Sequence, residues 1–301
     1  MRALQFTTYG GPEQLAWADA PEPHAGPGQV RVAVRAASVN PVDWKMLSGA
    51  MAQDERPAQP VLLGFDAAGV VDEVGDGVEG VSLGDEVFGR GSGTQAELAV
   101  LDAWAARPQG VEWAVVAAAG VAGETSERGL RLLGVESGTK LFVDGGAGGV
   151  GAVTVQMAVA RGATVVASAS EANHPLLHDL GATPVLYGEG VVDRVTEAAG
   201  GPVDAVFDVA GKTPAEELVR LVADPAQVVS IANFDAAAAG ARVTGGGGDS
   251  RPVEALELTA SLLADGRLEI PVRTFPFEEA AEAYRISQSG HVRGKLVLVH
   301  P

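Results

Sequence analysis

The segment Val143-Asp144-Gly145-Gly146-Ala147-Gly148-Gly149-Val150-Gly151 holds the strongest chemical signal in the chain. Gly146, Gly148 and Gly151 fit G-x-G-x-x-G, a spacing at which side chains would obstruct a tight turn or an approaching pyrophosphate. Gly149 and Val150 then open a helix-patterned run to about residue 161, and the first N–H groups of a helix are unpaired and face an anion well. A chain with 40 glycines in 301 residues also makes such spacings by chance. A plain strand-to-helix connection is therefore the competing reading, and the surrounding elements decide between the two.

Those elements favour the phosphate. β-like apolar runs at residues 140–143, 164–169, 203–209 and 228–232 alternate with helical patterns, which predicts a parallel sheet with crossover helices. A glycine turn opening the first β-α-β unit of such a series is a dinucleotide site. Val209 and Ala210, and Ile231 and Ala232, then fall at carboxyl ends of strands, where open α/β sheets bind ligands. They are small enough to wall a nicotinamide ribose. The stretches 236–239 and 245–248 read as a flexible connection or an edge strand.

The first 110 or so residues have another texture. Short β-like runs at 30–39, 67–74, 86–89 and 96–100, broken by Gly, Pro and Asp, predict a compact antiparallel, barrel-like domain. The ending returns to mixed structure, with a helix over 277–288 and a strand over 295–299.

Composition sets the outer limits. A length of 301 residues fits two domains, and 47% hydrophobic with 20% charged residues describes an ordinary globular protein. The net charge of -18 argues against nucleic acid or an anionic membrane as partner. Zero cysteines exclude disulfides, thiolate metal ligands and a cysteine nucleophile. No leader or membrane-span pattern is evident, so a cytoplasmic location is expected. His24 and His300 read as surface residues and His178 as a helix face, and no metal site is assigned.

Ser38-Val39-Asn40-Pro41-Val42-Asp43-Trp44-Lys45, Gly64-Phe65-Asp66-Ala67-Ala68-Gly69-Val70-Val71, the run from Val74-Gly75 to Gly84-Asp85-Glu86-Val87-Phe88-Gly89, the glycine turn, and the ending Gly290-His291-Val292-Arg293-Gly294-Lys295 span nearly the whole chain. Together they resemble the medium-chain dehydrogenase/reductase superfamily, in its zinc-free quinone oxidoreductase (zeta-crystallin-like) branch. The resemblance implies an α/β fold. A GroES-like β domain would cover residues 1–120, with 257–301 returning to it, and a Rossmann domain 121–256. The active site would lie in the cleft between them, and a homodimer would form through an edge strand at 241–244. Zinc-dependent relatives have Gly-His-Glu where this chain has Gly64-Phe65-Asp66, and a cysteine ligand where it has Asn40. Phenylalanine cannot bind zinc, so the missing cysteines now separate zinc-free reductases from zinc enzymes.

The same resemblance names site residues. Asn40 is the first-domain catalytic candidate, its amide able to bond the cofactor ribose or an acceptor carbonyl; as Asn before Pro41 it is equally a helix N-cap. Asp43 reads as a first-turn helix carboxylate. Thr125 matches a family threonine beside the nicotinamide, and Arg293 and Lys295 form the nearest thing to a basic cluster at the cleft. At the adenosine end, Ser168 and Ser170 replace the carboxylate expected of an NAD site and leave room for a 2′-phosphate. His174 could donate to that phosphate and Tyr187 could close the adenosine side. Against this, Glu171 is nearby, Ala172 stands where some relatives have arginine, and no Arg or Lys lies between Arg161 and Arg194. NADPH is expected, with NADH less favoured.

A tyrosine proton donor found in many relatives is absent, since the segment after the first helix reads Ser48-Gly49-Ala50-Met51. Hydride transfer to a quinone needs no strong general acid. The expected activity is NADPH-dependent reduction of a small quinone or conjugated carbonyl compound. The alternatives are an enoyl reductase of lipid or polyketide metabolism and a non-catalytic NADPH-binding sensor.

Overall fold

The computed structural model describes residues 1–52, 54–290 and 292–300. Gln53, His291 of the C-terminal motif and Pro301 lie outside the described residues. Two compact units are present. One comprises Met1–Val121, Pro252–Gly266 and Ile270–Pro301, and the other Ala122–Arg251 with Arg267–Glu269.

In chain order the first unit supplies β1 (Arg2–Phe6), β2 (Ala16–Asp19), β3 (Val30–Val39), α1 (Pro41–Leu47), β4 (Val61–Leu62), β5 (Asp66–Val74), β6 (Glu86–Gly91) and β7 (Leu98–Ala106). Helix α2 (Trp113–Leu132) holds the boundary between the units. The second unit supplies β8 (Lys140–Asp144), α3 (Gly149–Ala160), β9 (Thr164–Ala169), α4 (His174–Asp179), β10 (Thr183–Leu186), α5 (Val191–Ala199), β11 (Ala205–Asp208), α6 (Ala215–Leu218), β12 (Val228–Ser230) and β13 (Arg242–Val243). The first unit resumes with α7 (Pro252–Ala264), β14 (Val272–Pro276), α8 (Ala280–Gln288) and β15 (Lys295–Val299).

The main sheet of the first unit runs β14-β15-β3-β5-β6-β7, and β3 also pairs with β7, which closes β3, β5, β6 and β7 into a barrel. Val30, Val32 and Val34 of β3 point inward and are buried, while Arg31 between them pairs with Asp72 and Glu73. That is the period-two pattern of a half-buried strand. The sheet departs from the antiparallel expectation at one edge, where β14 and β15 run parallel. Strand β7 begins and ends later than the 96–100 run, because alternation of buried Ala99, Leu101, Ala103 and Ala105 continues through Asp102 and Trp104. Strands β1 and β2 form a second, small sheet with β4.

The second unit is a six-stranded parallel sheet of order β10-β9-β8-β11-β12-β13. Phe142, Val166, Val206 and Val228 lie on one face and pack with Val191 and Val195 of α5 and Leu218 of α6. On the other face Phe207 packs so closely beneath Gly129 of α2 that a Cβ there would lie 2.3 Å from the ring. β12 stops at Ser230, short of the expected 232, so Ile231 and Ala232 belong to the following loop. Alternation puts residues 144, 168, 208 and 230 on the Phe142 face, at the carboxyl edge of the four central strands.

Candidate functional site

The glycine turn leaves β8 at Asp144 and enters α3 with Gly148 as N-cap. A Cβ on Gly146 would stand 2.7 Å from Ala167 Cβ, and one on Gly151 would stand 2.1 Å from the Gly145 carbonyl oxygen. Both positions are therefore fixed by packing. Gly148 differs: the nearest atom to a Cβ there is the Gly145 oxygen at 3.6 Å, so the space beside it is open. Gly149 and Val150 begin the helix half-buried, with N–H groups that have no place in its ladder. This cradle fits a dinucleotide pyrophosphate, whose charge the helix start favours. Ser126 of α2 donates to the Val150 carbonyl at 3.2 Å and accepts from Thr154 at 2.8 Å, tying α2 to the first turn of α3. Thr125 lies beside it, buried within α2.

Below the turn is a feature that the sequence reading missed. Ser168, Asp144, Asp208 and Ser230 stand side by side on β9, β8, β11 and β12, all buried. Ser168 Oγ donates to Asp144 Oδ1 at 2.5 Å and accepts from the Gly145 N–H at 2.9 Å. Asp208 Oδ1 accepts from the N–H groups of Ala210 and Gly211 at 3.1 and 2.7 Å, and its Oδ2 from Ser230 Oγ at 2.7 Å. Ser230 Oγ in turn accepts from Ala232 N–H at 3.2 Å and Asn233 N–H at 2.9 Å. The row thus fixes the first amides of the loops leaving β8, β11 and β12. Those loops touch: a Cβ on Gly145 would be 2.9 Å from Ala210 Cβ, and one on Gly211 2.8 Å from Ala232 Cβ. Val209, Ala210, Ile231 and Ala232 are half-buried along this rim. Burial pushes the Asp208 carboxyl above its ordinary range, and the neighbouring Asp144 charge adds to the push. Asp144 Oδ2 is buried and has no hydrogen-bond partner.

At the end of β9 the two candidate serines part. Ser168 is enclosed in the row, whereas Ser170 is half-buried after the strand, its Oγ accepting from Asn173 Nδ2 at 3.1 Å. His174 begins α4 with Nε2 buried and without a partner. Tyr187 is 48% exposed after β10, and Arg194 of α5 donates to the carbonyls of Leu186, Tyr187 and Gly188 around it.

In the first unit a second polar cluster is buried. Asn40 caps α1, and its N–H donates to Asp43 Oδ2 at 2.6 Å, one half of a capping box. Its Nδ2 donates to Ser38 Oγ at 3.1 Å and Asp66 Oδ1 at 3.0 Å, while its Oδ1 accepts from Lys295 Nζ. Asp66 also accepts from Ser38 Oγ at 2.6 Å and the Val121 N–H at 2.8 Å, and Asp43 Oδ1 from the Gly64 N–H at 3.2 Å. Tyr284 donates to Gln95 Oε1 at 2.7 Å, and Gln95 Nε2 to the Ser38 carbonyl at 2.9 Å. The Asn40 amide is thus committed within the protein. Lys295 is 5% exposed, while Arg293, two residues before it, is exposed, so the expected basic pair is split.

Burial raises the Asp43 carboxyl to about 7, with the Asp66 charge adding and Lys295 opposing. Burial also lowers the Lys295 ammonium against the pull of Asp66 and Asp43, and it raises the Tyr284 phenol. The donors here do not fit zinc, because Phe65 offers no ligand, Asn40 is saturated, and a cation is already present as Lys295. Among the described residues no group of three His, Asp or Glu side chains could hold a metal, and no helix is long and apolar enough to cross a membrane.

The alcohol dehydrogenase GroES-like domain family matches residues 26–121, and the zinc-binding dehydrogenase family residues 180–298. The chain is 35% identical over 97% of its length to the spectinabilin polyketide synthase system protein NorB of Streptomyces orinoci, of which it spans 14%. It is 30% identical over its whole length to a 2-methylene-furan-3-one reductase of Solanum lycopersicum, covering 79% of that protein. The solved quinone oxidoreductase of Coxiella burnetii superposes with a TM-score of 0.88 at 29% identity, covering 100% of this chain and 99% of that one.

Proposed function

The chain belongs to the medium-chain dehydrogenase/reductase superfamily, in its quinone oxidoreductase branch, and on that premise we propose an NADPH-dependent, zinc-independent reductase that passes hydride to a quinone or other conjugated carbonyl compound. The observation that carries this reading is an open phosphate cradle at Gly148 in a chain that has Asn40 and Phe65 where zinc-dependent relatives have ligands, with Lys295 bonded to that Asn40. The nicotinamide supplies the hydride, and the protein's part is alignment and charge stabilisation.

Gly149 and Val150 N–H groups hold the pyrophosphate. Val209, Ala210, Ile231 and Ala232 wall the nicotinamide ribose, with Thr125 as a further contact. Ser170 and the unpartnered His174 Nε2 take the 2′-phosphate, and Tyr187 closes over the adenosine. Asn40 acts by orienting Lys295 and Asp66, and Arg293 is exposed. A conjugated acceptor delocalises the incoming charge, so the product anion can draw its proton from water. The tomato relative, named for reduction of an enone, supports that acceptor class. The same proposal has the protein act in the cytoplasm as a homodimer paired through β13.

A second reading, an enoyl reductase of polyketide assembly, is favoured by the synthase relative at 35% identity. The two separate when NADPH and NADH absorbance is followed with an ortho-quinone, a 2-alkenal and an enoyl thioester in parallel. Reduction of the quinone or alkenal is expected. Turnover of the thioester alone establishes the second reading, and NADPH binding without turnover of any acceptor points to a sensor. A preference for NADH beyond about tenfold overturns the cofactor assignment, and stoichiometric zinc overturns the metal-free one.

A further inference from the structure

Two aromatic rings of the second unit, Phe142 and Phe207, are fully buried, and the other two, Tyr187 and Phe234, are exposed. The exposed pair stands at opposite ends of the sheet: Tyr187 follows β10, and Phe234 lies between β12 and β13. Tyr187 has a place in the proposed adenosine site. Phe234, at 61% exposed, is the more open of the two and has no role in the site as described.

The backbone that carries Phe234 is held firmly. Asn233 donates its N–H to Ser230 Oγ at 2.9 Å, and its Oδ1 accepts from the Asp235 N–H at 3.1 Å, which caps the short 3-10 turn Phe234–Ala239. Behind the ring lies Gly245, where a Cβ would be 4.0 Å from Phe234 Cε1. Thr244 pins that glycine: it is 3% exposed, its N–H donates to the Ser230 carbonyl at 3.1 Å, and its Oγ1 accepts from Arg128 Nη1 at 2.8 Å. Arg128 is itself buried and paired with Glu124 of α2. One edge of the ring therefore rests on fixed backbone while the rest is open, and a ring held in this way loses little freedom when a ligand covers it.

The ring also continues a line. A Cβ on Gly145 would meet Ala210, one on Gly211 would meet Ala232, and one on Gly245 would meet Phe234, so the loops after β8, β11, β12 and β13 touch in the order of their strands. The phosphate cradle is at the β8 end of this rim, and half-buried Val209, Ala210, Ile231 and Ala232 form its middle. A dinucleotide with its pyrophosphate at Gly148 and its nicotinamide ribose along the middle directs its nicotinamide toward Phe234. Resting on that dinucleotide and hydride-transfer reading, we propose that Phe234 is a specificity-determining residue for the acceptor: its ring stacks on a flat aromatic acceptor, so that aryl quinones are preferred to aliphatic alkenals. Offset stacking of two rings adds to the apolar area that they bury, and a flexible alkenal chain gains only the area.

The test is a set of initial rates with NADPH, using 9,10-phenanthrenequinone and a straight-chain 2-alkenal as acceptors. The native protein is expected to have the lower KM for the quinone. In Phe234→Ala that KM should rise about tenfold, against at most about threefold for the alkenal, with kcat for the quinone changing less than its KM. Phe234→Tyr keeps the ring and should restore the quinone KM. Because the side chain is exposed, the urea midpoint of both variants should stay at the native value. The Kd of NADPH, measured without acceptor, should not follow the KM. A native preference for the alkenal, an equal rise for both acceptors, or a rise in the NADPH Kd as large as that in KM overturns the assignment. So does an unchanged quinone KM; a shift in oligomeric mass in that variant would then give the ring to a contact between copies of this chain. Each of those results leaves the reductase reading standing. Absence of turnover with the quinone and the alkenal alike removes that reading, and this inference with it.

Discussion

Each unit buries a pair of aspartates among hydroxyls and amides, and the two solutions differ in one respect. In the first unit Asp43 and Asp66 are joined by the ammonium of Lys295 through Asn40. In the second, Asp144 and Asp208 have only Ser168 and Ser230 beside them. Burying charge is costly unless it is paired and bonded. The first cluster meets that demand with a cation and nearly complete hydrogen bonding, which suits a rigid scaffold. The second leaves Asp144 Oδ2 bare, at the strand ends beneath the glycine turn.

The sharpest way to break the comparison is to remove the cation. Lys295→Met leaves the Asn40 amide oxygen without its donor and removes the charge that opposes Asp66 and Asp43, and loss of one partner in a buried charged cluster costs about 3–5 kcal/mol. Urea unfolding should show the midpoint falling steeply, and adding Asp66→Asn to the same chain should restore part of the loss. If Lys295→Met unfolds like the native protein, the ammonium is not what balances this cluster.

The next effect is on binding alone. Gly148→Ala places a methyl where the nearest atom is 3.6 Å away and the backbone, at φ -76, accepts alanine. Stability should therefore hold within about 0.5 kcal/mol, while the methyl obstructs the pyrophosphate and weakens both dinucleotides by about thirtyfold, or ~2 kcal/mol. Equal loss of stability and affinity would mean that Gly148 serves the fold, as Gly146 and Gly151 do.

How far the sequence revealed these two clusters depends on distance along the chain. The glycine turn is contiguous, and the strand–helix alternation is periodic, so both were legible. Small departures came at strand ends: β12 stops at Ser230, whose hydroxyl caps the next amides and turns the chain. The Ser-Asp-Asp-Ser row has no local signature, since its members lie on four strands and meet only through their register. Asn40 and Lys295 are 255 positions apart. The family resemblance offered Asn40 equally as a ligand-binding amide or a helix N-cap; it is the N-cap of α1, and only the packed structure reveals that its amide is already engaged. β2 was unread because its exposed and half-buried positions, Ala16 to Asp19, carry no clear apolar alternation.

The first cluster should also respond to pH. Asp43 holds its proton more tightly folded, at about 7, than its ordinary value of 3.8. A carboxyl raised in the folded state contributes stability that is lost as pH rises between those two values, at up to about 1.4 kcal/mol per pH unit. Unfolding midpoints should fall as pH rises from about 4 to about 7 and level off above that, and Asp43→Asn should flatten that slope. A slope unchanged by the substitution would assign the loss to other groups.

The smallest effects distinguish two serines that look alike in sequence. Ser170 is half-buried past the strand end, so Ser170→Asp puts a carboxylate where the adenosine ribose is expected. That charge repels a 2′-phosphate and accepts from ribose hydroxyls, and the ratio of Kd values should move toward NADH by about tenfold, or ~1.4 kcal/mol. Ser168 is buried in the row and supports Gly145, so Ser168→Ala should weaken NADH and NADPH alike, by about fivefold for one lost hydrogen bond of ~1 kcal/mol. A change in cofactor preference in Ser168→Ala, or none in Ser170→Asp, would exchange the roles of the two serines and move the adenosine site inward along β9.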